Sequence, residues 1–556
     1  MRLERAFGQA SEERRRRLTH RALPLVAGLA FVVGLIVGLT GGSDAAGTAS
    51  RYAHAWARGD YAGMYAMLSK ASRRRTSPAA LKSAYEAAAG TATATSIRVR
   101  GAHDDGPGAR VAVVVTTRIF GTIRGDVLIP VSGSAVDWQP NLVFPDLDKG
   151  ATLTRVTHVP RRAPILARDG RTIVSGPASA RFSPPGNPAA GIAGTVAQPQ
   201  AAAARAALYA QGFPQDAPTG TTGLERTLDS MVRGRPGGTL RAGGRVLARS
   251  SPVAAKPVRT TLDLRIQAAA ETALAGRVGG IAALDPRTGE IRALAGIAGV
   301  DQPPGSTFKI VTATAALEAD AVKPTTTFPI ETHATVDGVP LENASGESCG
   351  GTFSNAFAVS CNSVFVPLGV KVGATRLVAT AERFGFNAPP ALPNASPSTI
   401  PHQMKSKLEL GASAIGQGRV LATALDMANA AATIATGGLR RQPTLVAPIA
   451  PPTRAVSPPV AAEMTRLMIG VVEHGTGTAA AIGSVPVAGK TGTAELGNGV
   501  PGQVSGSQVN TDAWFTAFAP AGAARIAVCA MFVKAGAGVD VAAPAVRGVL
   551  EAGLRG

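Results

Sequence analysis

Hydrophobic and polar positions first sort the chain into segments. Ala22 to Leu39 is eighteen residues without a charge, long enough to cross a bilayer core as one helix. Basic Arg14 to Arg17 and Arg21 flank it on the N-terminal side, which keeps that side cytoplasmic. A cleaved signal peptide with a site at Asp44-Ala45-Ala46 is the competing reading, and the length of the run favours an uncleaved anchor. Over SRYAHAWARGDYAGMYAMLS the period becomes helical. Tyr52, Trp56, Met64, Tyr65 and Leu68 fall on apolar faces, which predicts two helices broken at Gly59-Asp60. Val111–Val115 and Val127–Val131 then read as strands, joined by turn-forming Gly121 and Gly125.

The Ala-rich stretch Ala201–Gln211 predicts a helix. Gly237–Gly244 reads as a hairpin region and Pro252–Pro257 as a linker. Asp263 is placed to cap a helix in TTLDLRIQAAAETAL, and Ile281–Gly296 reads as a hairpin turning at Arg287–Gly289. Helices are expected in the Ser306–Gly385 region and at Ala422–Thr436, and strands at Val485–Thr493, Ala513–Ala519 and Ile526–Phe532. The result is an α+β chain in which an antiparallel sheet is flanked by a helical subdomain.

Composition changes this picture little. A chain of 556 residues has room for three or four domains. Its net charge of +20 invites a nucleic-acid reading, but the arginines are scattered and no basic motif carries stacking aromatics. An exported protein near anionic envelope polymers fits better, with part of the charge in the anchor and part a plain compositional bias. Seven scattered His residues show no metal-ligand spacing, so neither a metal nor another cofactor is expected.

The candidate chemistry begins at PPGSTFKIVTATAA, Pro303 to Ala316. Pro303, Pro304 and Gly305 form a turn, and Phe308, Ile310, Val311 and Ala315 then repeat at helical spacing. Ser306 therefore sits near a helix N-terminus with Lys309 one turn on, on the same face. A lysine among apolar neighbours loses solvation, its pKa falls, and it can take a serine proton. An N-cap serine followed by an ordinary lysine is the bland alternative. Two later stretches shift the weight: Ser360-Cys361-Asn362 after FSNAFAV, and Lys490-Thr491-Gly492-Thr493 after a short strand-like run.

In this order, Ser-x-x-Lys, Ser-x-Asn and Lys-Thr-Gly resemble the signature set of penicillin-binding proteins and serine β-lactamases. The flanks PPGSTFK, SCNS, GQGRVLAT (Gly416 to Thr423) and VAGKTGTAE (Val487 to Glu495) resemble a class B penicillin-binding protein, a peptidoglycan D,D-transpeptidase. The resemblance implies a map: a basic tail at 1–21, a transmembrane helix at 22–41, an NTF2-like domain at 44–155, a dimerisation or linker domain at 156–258 and a transpeptidase domain at 259–556. VDWQPNLVFP (Val136 to Pro145) resembles the end of the NTF2-like domain. RRAPILARDGRTIV (Arg161 to Val174) and GTTGLERTLDSMVRGRPGG (Gly220 to Gly238) resemble the linker module.

The resemblance also implies roles. Ser306 is the nucleophile, Lys309 its base, and Ser360 the relay to the leaving amine. Asn362, which also reads as a helix cap, suits the donor peptide's amide and both lysines. Lys490 supplies a fixed positive charge. Thr491 offers a hydroxyl to the substrate carboxylate, Gly492 leaves room for an acyl group, and the N–H groups of Ser306 and Thr493 form the oxyanion hole. Trp514 reads equally as lining the acceptor side or as a core side chain. Implied partners are donor and acceptor stem peptides, β-lactams, the cytoplasmic membrane and other cell-wall synthesis proteins such as a glycosyltransferase, with no nucleic acid. A D,D-carboxypeptidase, and a β-lactam sensor or scaffold, are the alternatives on the same fold. Cys349 and Cys361 are close enough in sequence for a disulfide, which the sequence leaves open, and Cys529 reads as buried and inert.

Overall fold

The computed structural model describes residues 44–496 and 510–555. The anchor expected at 22–41 and the tail before it lie outside the described residues. Among those described, no single helix is long and apolar enough to cross a membrane. The chain divides into two compact units, and the 156–258 stretch is shared between them.

The first unit takes 44–159 of the described chain with 201–215 and 236–252. Helix α1 (Ala45–Arg58) is capped by the Asp44 carboxylate, which accepts the Gly47 N–H at 2.7 Å. It ends at left-handed Gly59, and α2 (Tyr61–Ala66) starts behind Asp60, so the break falls where the Gly-Asp pair placed it. Tyr52, Trp56, Met64 and Leu68 are buried, while Tyr65 is only half-buried. Helices α3 (Lys70–Arg75) and α4 (Pro78–Ala92) follow. Strands β1 (Ala94–Asp105), β2 (Gly108–Thr117), β3 (Thr122–Ser132) and β4 (Ala135–Val136) form an antiparallel meander. Gly121 makes the expected turn, with φ of 68°. Gly125 does not: it lies inside β3, where a Cβ would come within 2.5 Å of the Asp146 carboxylate. Strand β5 (Leu153–His158) pairs with a hairpin of β6 (Gly237–Ala242) and β7 (Arg245–Ser250), and α5 (Ala202–Ala210) packs on α4.

The second unit takes the rest of the described chain. Near its start Glu225, fully buried, is held by Arg162 and Arg181 at 2.6 Å each. After α6 (Leu264–Leu274), capped by Asp263, come β8 (Gly279–Leu284) and β9 (Ile291–Gly296). The buried helix α7 (Lys309–Glu318) follows. A strap of four short strands comes next: β10 (Thr327–Glu331), β11 (His333–Val336), β12 (Val339–Glu342) and β13 (Cys349–Thr352). The helical subdomain adds α8 (Phe353–Ala358), α9 (Asn362–Val372), α10 (Ala374–Phe384), α11 (Lys407–Ala414), α12 (Ala424–Ala435) and α13 (Pro458–Glu473). Strands β14 (Ala488–Glu495), β15 (Thr511–Ala519) and β16 (Ile526–Phe532), then α14 (Ala542–Leu554), complete the unit.

The main sheet is antiparallel throughout, in the order β9-β8-β16-β15-β14, so β14 is an edge. Its central strands are buried on both faces, which explains their unbroken apolar runs. Phe515, Ala517, Val528 and Ala530 pack toward α6 and α14, whereas Trp514, Phe518, Cys529 and Met531 join the larger core with α7, α12 and α13.

Candidate active site

Ser306 lies in a 3₁₀ turn, Gly305–Phe308, that leads into α7. The turn is locked from two sides. Gly305 has φ of 51° and donates its N–H to Gly416 O at 3.0 Å, while Thr307 Oγ1 donates to Pro304 O at 2.8 Å. Gly416, the first residue of GQGRVLAT, has no room for a side chain: its Cβ would lie 2.1 Å from Gly305 O. A Cβ on Gly305 would lie 2.6 Å from Thr493 O, so the Ser306 turn and the edge strand β14 meet backbone to backbone. The Ser306 side chain is half-buried, and among the described residues its hydroxyl has no hydrogen-bond partner.

Lys309 is fully buried at the head of α7. Its Nζ donates to Asn362 Oδ1 at 2.6 Å and Ser360 O at 2.7 Å, with Ser360 Oγ at 3.4 Å. Lys490 is fully buried on β14 and donates to Ser360 Oγ at 2.8 Å and Thr491 O at 3.2 Å. Two lysines from different elements thus converge on one hydroxyl. Phe365 and Phe357 cover them, with ring centroids 5.3 and 5.7 Å from the Nζ atoms of Lys309 and Lys490. Burial, then the neighbouring Lys490 charge, hold Lys309 well below the usual lysine range. Burial pulls Lys490 down to about 7. The fixed positive charge expected of Lys490 is therefore a titrating group near neutrality. Ser360 itself sits at φ of 64°, a conformation non-glycine residues rarely adopt outside constrained sites.

Asn362 is divided between two partners. Its Oδ1 accepts from Lys309, and its Nδ2 donates to Glu342 O at 2.7 Å. It neither caps α9 nor bonds Lys490 among the described residues. Thr491 is buried and shares a 2.6 Å hydrogen bond with Thr476, which the loop after α13 brings onto the end of α8. Sequence reasoning missed Thr476, although Gly475-Thr476-Gly477-Thr478 interrupts the helical pattern there. Thr493 accepts a long 3.4 Å contact from Gly538 N.

At Gly492 the structure differs from the expectation, and at Trp514 it decides between the two readings. Gly492 does not leave room for an acyl group: a Cβ there would lie 2.8 Å from Pro304 O and 2.9 Å from both Thr307 Cγ2 and Trp514 Cβ, so its missing side chain serves the packing of the Ser306 turn. Trp514 lines no cleft. It is fully buried in the larger core, and its indole N–H has no partner among the described residues.

Cys349 and Cys361 form a disulfide, which ties β13 to the middle residue of Ser-x-Asn. Cys529 is buried, and burial pushes its thiol up. Among the described residues no group of three His, Cys, Asp or Glu is placed to hold a metal ion. Chemically, the site offers a hydroxyl at a helix entrance, a lysine that can stay neutral, and a second hydroxyl able to pass a proton between amines.

The chain is similar to known proteins. Residues 279–551 match the penicillin binding protein transpeptidase domain. The chain is 38% identical over 285 residues to the peptidoglycan D,D-transpeptidase PbpA of Mycobacterium tuberculosis, covering 46% of this chain and 55% of that relative, so it spans little more than half the relative's length. It is 33% identical over 430 residues to PbpA of Mycolicibacterium smegmatis, covering 64% of this chain and 83% of the relative. The solved penicillin G acyl-enzyme complex of M. tuberculosis penicillin-binding protein A superposes with a TM-score of 0.57 at 28% identity, covering 71% of this chain and 99% of that one. By this coverage and by the site it contains, the chain belongs to the penicillin-binding protein transpeptidase family.

Proposed function

We propose that this chain is a serine D,D-transpeptidase that cross-links peptidoglycan stem peptides through an acyl-enzyme on Ser306, and that β-lactams acylate the same residue. The observation that carries the reading is the convergence of buried Lys309 and Lys490 on Ser360 beside the Ser306 turn. A neutral Lys309 takes the Ser306 proton as Oγ attacks the carbonyl of the penultimate D-Ala. The tetrahedral oxyanion forms against the N–H groups of Ser306 and Thr493, where Gly305 lets the two backbones meet. Ser360 then passes a proton to the departing D-Ala amine, and the C–N bond breaks. An amine of an acceptor stem peptide attacks the ester, loses a proton to the same relay, and restores Ser306. Relatives named peptidoglycan D,D-transpeptidase, and a relative's penicillin G acyl-enzyme, support this assignment.

The same proposal places the chain in the cell membrane. Residues 22–41 are its single span, the N-terminus is cytoplasmic, and the units after residue 43 are extracytoplasmic beside other cell-wall synthesis proteins such as a glycosyltransferase. Residues 44–155 are an NTF2-like domain, a reading supported by helices α1 to α4 preceding an antiparallel meander. The test is the intact mass of the detergent-solubilised full chain after exposure to penicillin G, beside Ser306→Ala. One stable adduct that the substitution removes is expected. Rapid penicillin hydrolysis without an adduct would point to a β-lactamase instead.

A further inference from the structure

Behind the Ser-x-Asn loop lies a polar cluster that the reaction scheme does not use. Helix α9 begins at Asn362, and its first N–H groups need acceptors. The residue in the capping position, Cys361, is tied into the disulfide and makes no side-chain cap. The missing acceptor arrives from the strap. Asn343, 5% exposed just after β12, accepts the Ser363 N–H on its Oδ1 at 2.8 Å. Its two amide hydrogens go to Glu331 O at 2.7 Å and Glu347 O at 2.9 Å, one on each side of the β11–β12 hairpin. Its backbone N–H donates to Thr332 O at 2.8 Å. Asn343 therefore engages both amide hydrogens and its oxygen.

The preceding residue, Glu342, gives its carbonyl to Asn362 Nδ2. Two consecutive residues of the strap thus hold two consecutive residues of the catalytic loop. Ser363 Oγ fills the space between them and the cysteines, 3.1 Å from Cys361 Sγ. The Asn362 Oδ1 that receives Lys309, and the Ser360 hydroxyl two residues earlier, are set against this support.

We propose that Asn343 is a positioning residue for acyl transfer, capping α9 from the strap and thereby fixing Asn362 and Ser360 against Lys309 and Lys490. The inference rests on the reading of the site given above. Removing the amide leaves the Ser363 N–H without its acceptor and loosens the strap on the loop, which the Glu342–Asn362 bond and the Cys349–Cys361 disulfide still tether, so the reacting groups lose registration while the β-lactam is still received.

The test is the kinetics of penicillin G acylation of the full-length protein, resolved into the dissociation constant of the first complex and the acylation rate at saturation. In Asn343→Ala the saturated rate is expected to fall roughly 10- to 100-fold. The dissociation constant should stay within about threefold, and Ser363 amide protection in hydrogen exchange should be lost. Should Asn343→Ala not fold, Asn343→Asp keeps an acceptor for the Ser363 N–H but turns a carboxylate oxygen toward the Glu331 and Glu347 carbonyls, so its saturated rate is expected to fall roughly 10-fold with the dissociation constant held. An unchanged saturated rate in a folded Asn343→Ala or Asn343→Asp protein would overturn the proposal. A wild-type protein that forms no adduct at Ser306 would overturn the reading of the site and the positioning role with it.

Discussion

Lys490→Met tests whether the two buried lysines act as a coupled pair. Their Nζ atoms lie 3.4 and 2.8 Å from the same Ser360 Oγ, which puts them no more than about 6 Å apart. Two unit charges at about 6 Å and an effective dielectric of about 20 repel by about 3 kcal/mol, or about 2 pH units. Both side chains are fully buried, so solvent screening is weak. Removing one positive charge favours protonation of the other, which raises the Lys309 pKa toward its ordinary value. Acylation needs neutral Lys309, so the acid limb of its pH profile should move to higher pH by about 1–2 units. The rate on the plateau should fall by about 100-fold, because the donor to Ser360 is lost as well. Methionine keeps most of the buried volume. The assay is single-turnover acylation by a fluorescent penicillin from pH 5 to 10, read by intact mass. An acid limb that stays in place or moves to lower pH would show that Lys490 does not act on the base electrostatically, or that Lys309 is not the base.

Three further outcomes follow from the packing and the charges. Gly492→Ala forces a Cβ against Pro304 O, Thr307 Cγ2 and Trp514 Cβ, all inside 3 Å; urea unfolding should show a loss of about 1–3 kcal/mol with slower acylation, and wild-type stability would refute the packing role. Trp514→Phe removes a buried donor without a partner along with part of a core ring; stability should change by less than about 2 kcal/mol with acylation and acceptor use intact, and a selective loss of acceptor use would return Trp514 to the cleft. Lys490 titrates at about 7 when folded and at about 10.4 when unfolded, so the unfolded chain binds more protons between those values and stability should rise with pH across that window. Relative to Lys490→Met, wild type should gain at most about 1.4 kcal/mol per pH unit in urea midpoints converted to free energy, and a constant difference would refute the buried neutral lysine.

Much of the site was legible because its chemistry is local in sequence. Ser306 and Lys309 share one turn, and the apolar run around them foretold a buried lysine. The double-faced strands at 511–519 and 526–532 could be read from unbroken apolar runs. The strap was lost because its strands are short and half-exposed, leaving little alternation to detect. Asp337-Gly338 between Val336 and Val339, with φ of 52° and 79°, was the one clear hairpin signal there. Asn343, Ser363 and Thr476 escaped notice because each acts across tens of residues or through backbone carbonyls. Gly492 was misjudged, and Trp514 left undecided, for a related reason. Strand alternation says which face a residue takes but not what lies against it.

The most direct measurement is the fate of a D-Ala-type thioester donor with the full chain, with and without an amine acceptor, in wild type and Ser306→Ala. The account predicts an acyl-enzyme on Ser306 and an amide-linked product that grows with acceptor concentration at the expense of hydrolysis, both abolished by Ser306→Ala. Hydrolysis alone at saturating acceptor, or turnover that survives Ser306→Ala, would contradict it.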